Sequence, residues 1–307
     1  MIEEELYDPI GKWLIKNKGC QQDEYSQGYL KDVKVGNVRP DILAIRYEVK
    51  TDQSVPVIDF HGYVVEVKSD EHGVNELIGK VVRTKKWVKE GDPSKEWSTG
   101  FHWVSFYIAY PTDKIPFEIF KMCKNDGVGV LRLQITDDGK VNVYEELKPE
   151  EIQLGGISHT KQRSPGNFKE RMNGINHLKQ MFQRPEKLYE DFIRPGKDKY
   201  DENRKLNQNL SHVKNKDSMK ARDHLINRIK SEFPQIKMVP KGGKISFELP
   251  ESEGSLLLIE PTTGYFYMSI GDRRYRVYSQ SKILDIKSGE EYEGDLDNLI
   301  SNEIIPT

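Results

Sequence analysis

The chain has 307 residues, of which 36% are hydrophobic and 31% are charged, and its formal net charge is −2 at pH 7. No run of residues has the apolar length of a membrane-spanning helix, so the sequence predicts none. Two distant cysteines, Cys20 and Cys123, offer neither a disulfide framework nor zinc-ligand spacing, and the acidic N-terminus lacks the features of a signal peptide. These observations predict a cytoplasmic protein.

The first half of the chain is predicted to mix helices and strands. Leu6, Ile10 and Leu14 recur at helical spacing within residues 4–18, and Gly19 suits the end of that helix. Polar residues 20–32 suggest a loop or a short edge strand. Further elements are then expected as strands near 33–36, 41–47 and 57–67 and as a helix near 74–90.

The most apolar stretch, from Phe101 to Tyr110, predicts a central strand that Pro111 ends. A turn at Asp138-Gly139 is typical of a hairpin. The remaining elements are expected as a helix near 115–125 and strands near 127–133 and 141–145. This order of elements predicts an α/β sandwich over residues 1–155.

A basic connector is predicted over residues 156–215, with short helices near 167–182 and 185–193 and a polar, mobile stretch over 197–209. Residues 156–245 hold 21 Lys and Arg against 10 Asp and Glu, a balance of +11 between two acidic ends. Such a block is typical of a phosphate-binding surface. A solvated helical linker is the alternative interpretation.

A small α+β domain is predicted over residues 216–307, and no catalytic motif is evident in it. Its elements are expected as a helix near 217–232 and strands near 244–249, 255–260, 264–270 and 273–278. Three arginines and two tyrosines cluster at the last strand: Arg273, Arg274, Tyr275, Arg276 and Tyr278. They are compatible with contact to nucleic acid or protein, and equally with an ordinary exposed strand face.

The buried run Phe60–Lys68 ends in two charged residues, Glu66 and Lys68, which share one face of a strand. Asp41 opens an earlier apolar strand, and neighbouring antiparallel strands would bring it to Glu66. Two carboxylates with water suit Mg²⁺, and a lysine beside them can orient water or neutralise charge on a phosphate. The alternative is a surface salt bridge at the end of a strand, because Glu-x-Lys is common in so charged a chain.

The chain contains a second Glu-x-Lys sequence, Glu48-Val49-Lys50. Polar residues follow it directly, so we interpret it as the solvated end of a hairpin. The surrounding sequence therefore selects Glu66 and Lys68 over this copy.

Pro40-Asp41 followed by Glu66-Val67-Lys68 resembles the motif of the PD-(D/E)XK nuclease superfamily. The segment Glu5-Leu6-Tyr7-Asp8-Pro9-Ile10 is similar to the opening helix of those nucleases, with Glu5 as the matching acidic residue. The segment Leu77–Lys80 is similar to the helix in which many members carry glutamine, where this chain has Lys80. Residues 127–131 and 141–143 resemble the closing hairpin, so the resemblance covers about residues 1–150.

The resemblance implies a restriction-endonuclease-like mixed sheet flanked by helices, and a Mg²⁺-dependent endonuclease that acts on DNA, with Mn²⁺ able to substitute. It implies that Asp41 and Glu66 bind the metal, that Lys68 assists the attacking water and that Glu5 completes the site. A homodimer is a possible arrangement. Cationic side chains of the following helix are expected to contact nucleic acid: Lys80, Arg83, Lys85 and Lys86. Two alternatives stay open, a catalytically inactive nucleic-acid-binding module of the same fold and a protein-interaction module whose C-terminal domain is the working part.

Overall fold

The structure of the protein is a computed structural model that describes residues 2–52, 54–70, 72–91, 95–250 and 254–305. The chain divides into two compact units, Met1–Lys197 and Asp198–Thr307. The segment 156–215, for which the sequence suggests a connector, supplies helices to both of these units.

A mixed sheet of seven strands forms the centre of the first unit, as the predicted α/β class requires. Its strands are β1 Tyr29–Lys31, β2 Ile42–Lys50, β3 Val57–Val67, β4 Trp103–Pro111, β5 Gly129–Ile135, β6 Val141–Leu147 and β7 Ile152–Gln153. The first six lie in chain order across the sheet, and β7 pairs with β4. The pairs β3–β4 and β4–β5 are parallel, and the other pairs are antiparallel.

Helices flank this sheet. A 3-10 turn, Glu3–Leu6, leads into α1 Tyr7–Lys18, and the connections further along contain α2 Val74–Glu90, α3 Glu96–Gly100 and α4 Phe117–Asp126. Helix α1 packs Ile10 and Leu14 against Ile42 and Val65, whereas α2 contacts β3 and β4. Because side chains alternate along a strand, Glu66 points away from the face that carries Val65.

Several predicted boundaries are confirmed. Strand β3 and helix α2 occupy the predicted ranges, and Gly19 ends α1 in a left-handed conformation with a φ of 67°. The strand predicted near 33–36 does not form. Val35 and Val38 instead exchange two backbone hydrogen bonds of 2.9 and 3.1 Å across a tight turn, and the edge strand is β1.

Residues 157–197 belong to the first unit. They form α5 His159–Gln162, α6 Pro165–Gly174, α7 Asn176–Met181, α8 Pro185–Leu188 and a π-helical turn, Tyr189–Ile193. The buried Gln162 amide pairs with the backbone of Ile58 at both ends, accepting from its N–H at 2.6 Å and donating to its carbonyl at 2.8 Å. Phe168 and Met172 are fully buried. This segment is therefore part of the folded unit and not a free linker.

Helix α9, Arg194–Leu210, covers the stretch that the sequence suggests is mobile. Leu206 and Leu210, one turn apart, pack against the core of the second unit, which explains why so polar a segment is helical. The second unit then contains α10 Lys216–Glu232, β8 Lys237–Lys241, β9 Lys244–Glu248, β10 Leu257–Pro261, β11 Phe266–Ile270, β12 Arg273–Val277, β13 Ile283–Asp285 and α11 Leu296–Glu303.

The six strands of the second unit form an antiparallel meander, with each strand beside its neighbour in the chain. Buried residues of α10 and α11, such as Leu225 and Leu299, pack against one face of this sheet. In the part of the chain that the structure describes, every helix is too short or too polar to cross a bilayer.

Candidate active site

The structure brings Asp41 and Glu66 together at one end of β2 and β3. The antiparallel register pairs Ile42 with Val65, so the next position along the two strands places Asp41 opposite Glu66. Asp41 Oδ2 accepts a hydrogen bond of 2.6 Å from the amide of Val67, which fixes the orientation of its carboxylate. This is the juxtaposition that the sequence predicts for neighbouring antiparallel strands.

Glu66 is a buried carboxyl group with a relative exposure of 3%. Its pKa is raised from 4.5 to about 7, chiefly because burial disfavours the charged form and further because Asp41 lies beside it. Lys80 opposes both effects, since its Nζ donates to Glu66 Oε2 at 2.5 Å. A buried acid with so high a pKa is typical of a functional position.

Lys68 follows the last residue of β3, and its amide donates to the carbonyl of Ala109 at 2.9 Å, which extends the pairing with β4. Its Nζ lies 3.8 Å from Glu3 Oε2, and its side chain is 41% exposed. The ammonium therefore lies beside Glu3, whose carboxyl group also interacts with Asp41, and it stays accessible to a ligand in solution.

The opening segment contributes Glu3 to this site and directs Glu5 elsewhere. Glu5 Oε2 accepts the amide of Ile2 at 2.8 Å, so the matching residue of the resemblance caps the first turn of its own helix. Burial raises the pKa of Glu3; Lys68 counteracts this shift, and Asp41 adds to it. Consecutive residues of a 3-10 turn point in different directions, so the sequence alone does not show which of Glu3, Glu4 and Glu5 faces the site.

Tyr7 is a second residue that sequence reasoning does not assign to the site. It is buried four residues after Glu3, which places both side chains on one side of the opening helix. Burial, and after it the charges of Asp41 and Glu3, raise the pKa of its hydroxyl. Tyr7 is therefore a neutral neighbour of the acidic group.

The four cationic side chains predicted to bind nucleic acid have different surroundings on α2. Arg83 is exposed, and Lys86 is 74% exposed with Glu90 at 3.8 Å. Lys80 contacts Glu66, as described above. Lys85 lies instead on the buried face of the helix with Val81 and Val88.

Lys85 is a structural group and is not available to a phosphate. Its Nζ donates to the carbonyls of Asp126 and Gly127 at 2.6 and 2.8 Å and to Glu150 Oε2 at 2.8 Å, which uses all three of its protons. These two carbonyls end α4, where a cation is stabilised by the helix dipole. Lys85 is predicted above to contact nucleic acid, whereas its spacing from Val81 and Val88 puts it on the buried face.

The second Glu-x-Lys copy lies at the opposite end of the β2–β3 pair, beside the hairpin. Glu48 and Lys50 contact each other at 2.7 Å, and Glu48 faces Asp59 across the ladder. The side chain of Glu48 is 55% exposed. This pair is the solvated ion pair that the sequence suggests.

Near the start of β3, Asp59, His102 and His159 place three ligand atoms within 4.8 Å of one another, and among the described residues this is the one such group of three. The amide of Phe60 donates to His102 Nδ1 at 3.0 Å, so the ring proton of the neutral imidazole lies on Nε2. That Nε2 faces the Ile157 carbonyl at 3.3 Å and Asp59 at 3.4 Å. Because a metal ligand needs a free electron pair, we interpret the group as a hydrogen-bonded structural cluster.

The Asp41–Glu66 pair has the chemistry of a site for a hard divalent cation. Its donors are carboxylate oxygens, which Mg²⁺ and Mn²⁺ prefer. The raised pKa of Glu66 shows that the positive charge of Lys80 only partly offsets burial and the charge of Asp41. A divalent cation bound between Asp41 and Glu66 would supply the missing charge.

We expect the affinity for Mg²⁺ to fall about tenfold between pH 8 and pH 6. The pKa of Glu66 is near 7 in the protein without metal, so at pH 6 a cation must first displace the proton on this carboxyl. Calorimetry in buffers of different ionisation enthalpy measures both the affinity and the released protons. An affinity that is constant over this range, with no proton release, would contradict the assignment of Glu66 as a ligand.

Comparison of the chain with protein-family models, with curated proteins and with solved structures gave no match.

Proposed function

We propose that the chain is a divalent-metal-dependent nuclease that hydrolyses phosphodiester bonds, with DNA as the substrate. The observation that supports this most strongly is the placement of Asp41 opposite Glu66, one residue after the end of the ladder, with Lys68 directly after β3. In the PD-(D/E)XK superfamily, which the sequence resembles, these residue types hold the metal and assist the attacking water.

The residues have distinct roles in this proposal. Asp41 and Glu66 hold Mg²⁺, or Mn²⁺ in its place, and Lewis-acid polarisation of the phosphodiester is what the bound cation supplies. Lys68 orients water and stabilises charge that develops on the phosphate oxygens. Glu3, which lies 3.8 Å from Lys68 Nζ, takes the position for which the sequence suggested Glu5.

Nucleic acid is the proposed partner, and the basic segment supplies the charge for it. Exposed cations on α6 and α7 include Arg171 and Lys179. On α7, Asn176 donates to the carbonyl of Lys34 at 3.0 Å, so this helix adjoins the loop that leads to Asp41.

A cytoplasmic location agrees with two buried cysteines that are both free. A homodimer that cuts both strands is a further part of the proposal.

The double variant Arg171→Ala/Lys179→Ala should weaken binding of duplex DNA in EDTA and lower the slope of log Kd against log salt by about 1.8. Two lost phosphate contacts account for that change. The matched control is Lys121→Ala/Lys124→Ala, which removes the same charge from the exposed side of α4. Fluorescence anisotropy between 50 and 200 mM salt, roughly the range over which such contacts weaken, measures the slopes. Equal slopes for the two variants would contradict a phosphate-binding role for α6 and α7.

A catalytically inactive nucleic-acid-binding module is the second candidate, and one observation favours it. Lys80 contacts Glu66 at 2.5 Å and so partly compensates the buried carboxylate without any metal. Such a protein would bind DNA and leave it intact. The two candidates differ in one measurable respect, which is hydrolysis that depends on a divalent cation.

The test of the proposed function compares binding with cleavage on the same substrates. Linear duplex DNA, single-stranded DNA and RNA are incubated with the protein in Mg²⁺, Mn²⁺ or EDTA, and binding is measured separately in EDTA. Cleavage in the metal buffers alone supports the nuclease. Binding without cleavage supports the inactive module, and the absence of both supports a protein-interaction role.

A further inference from the structure

Lys80 is the cation that contacts the buried carboxyl of the site. Helix α2 buries Leu77, Ile78 and Val81 against the sheet, which leaves Lys80 at the edge of the apolar stripe. From there its Nζ reaches Glu66 Oε2 at 2.5 Å, while the side chain keeps an exposure of 46%. The Glu66 side chain is only 4% exposed, so this ion pair joins a buried anion to an accessible cation.

The buried carboxyl group of Glu66, with Asp41 beside it, requires such a partner. Two opposed carboxylates in a desolvated site repel each other, and an unpaired buried charge is strongly unfavourable. The other nearby ammonium, that of Lys68, lies 3.8 Å from Glu3 and thus serves a different acid. Lys80 also lowers the pKa of Glu66 and so favours its ionised form, as a counter-cation does.

We propose that Lys80 is a displaceable counter-cation of this site: it holds the Glu66 carboxylate in place in the metal-free protein, and a divalent cation replaces it there. The inference rests on the metal site of the proposed function. In this role Lys80 is a positioning residue that competes with the metal for Glu66. A neutral side chain at this helix position would not compete.

The competition follows from the geometry. A cation coordinated by Glu66 Oε2 occupies the contact that Lys80 now makes. A cation coordinated by the second oxygen, Oε1, still lies within a few ångströms of the ammonium, and like charges at that distance repel strongly in a desolvated site. In both arrangements the loss of Lys80 improves metal binding, which is the opposite of what the loss of a ligand does.

The experiment is calorimetric titration of Ca²⁺ and Mg²⁺ into the full chain and into Lys80→Met at pH 9, where protons compete least for Glu66. Methionine keeps most of the length of the lysine side chain and removes its charge. We expect Lys80→Met to bind either ion at least tenfold more tightly, and Lys80→Arg to bind as weakly as the parent. The control is Lys86→Met, which removes an exposed charge from the same helix and should leave the affinity unchanged.

Thermal unfolding provides the second readout. Lys80→Met should melt at a lower temperature than the parent in EDTA at pH 8, and the difference should disappear in saturating Ca²⁺, because the metal then takes over the compensation. If Lys80→Met folds poorly, Lys80→Gln keeps the test valid, since it removes the charge and retains a hydrogen-bond donor.

Equal or weaker metal binding by Lys80→Met overturns the inference, and so does the absence of metal binding by every variant. The outcome is separable from that of the proposed function. If Lys80→Met binds metal more tightly and no variant cleaves DNA, the counter-cation role is supported and the nuclease is rejected. If the parent cleaves DNA with metal and the loss of Lys80 leaves the metal affinity unchanged, the nuclease is supported and the counter-cation role is rejected.

Discussion

Replacing Glu66 by glutamine is expected to lower metal-dependent cleavage at least a thousandfold and to make the metal-free protein more stable at pH 8. The loss of activity follows because Lewis-acid stabilisation of the transition state contributes several kcal/mol, and about 4 kcal/mol corresponds to a thousandfold in rate. The amide of glutamine keeps the shape of the side chain and lacks the charge that binds a divalent cation.

The gain in stability follows from the sign of the pKa shift at Glu66. Its pKa in the folded protein is about 7, above the ordinary value of 4.5. The folded state therefore favours the protonated acid, a stabilisation that is complete below pH 4.5 and is lost as the pH rises through 7. At pH 8 the ionised carboxyl lowers the free energy of unfolding by up to about 3 kcal/mol, which the neutral amide avoids.

Chemical unfolding in EDTA at pH 5 and pH 8, together with cleavage assays in Mg²⁺, checks both parts of this expectation. Glu48→Gln is the matched control, because it makes the same change in the exposed Glu-x-Lys copy at the far end of the strands. We expect that control to cleave and unfold like the parent. Full activity of Glu66→Gln, or a loss of stability at pH 8, would be inconsistent with this description of the site.

The second large effect is expected for Lys68→Ala, which should lower the rate of cleavage on the order of a hundredfold or more and leave metal binding intact. Lys68 carries a positive charge beside Glu3 and is not itself a ligand, so its loss removes stabilisation of the reacting phosphate alone. The loss of a nearby positive charge can even strengthen metal binding.

Lys50→Ala is the control for this variant, since Lys50 occupies the corresponding position of the second Glu-x-Lys copy and pairs with Glu48 on the surface. Rates under single-turnover conditions and metal affinities by calorimetry are compared for both variants. Parental cleavage by Lys68→Ala, or a rate lost together with metal binding, would remove Lys68 from the mechanism.

Much of the first unit is predictable from local patterns. The nearly continuous run of buried, β-prone residues and the flanking turn residues predict β3, and the spacing of Val74, Leu77 and Val81 predicts α2. The opposition of Asp41 and Glu66 is predictable as well, because it requires only that two neighbouring strands run antiparallel.

Other features depend on contacts between distant segments and have no local signal. The ion pair of Lys80 with Glu66 depends on how far along the sheet α2 lies, and the burial of Lys85 depends on the carbonyls at the end of α4. Residues 157–197 belong to the first unit through contacts between distant segments, of which the two hydrogen bonds between Gln162 and Ile58 are an example. Turn residues and polar composition suggest a connector for that segment.

The central claim is that Asp41 and Glu66 form the metal site of a nuclease, and plasmid nicking tests it most directly. Supercoiled plasmid is incubated with the parent protein and with Asp41→Asn, purified in parallel, in Mg²⁺ or EDTA, and the conversion to nicked and linear forms is followed over time. The parent should convert the plasmid in Mg²⁺ and not in EDTA, and Asp41→Asn should leave it supercoiled in both. Conversion at the same rate by the two proteins, or none by the parent in Mg²⁺ or Mn²⁺, would contradict the claim.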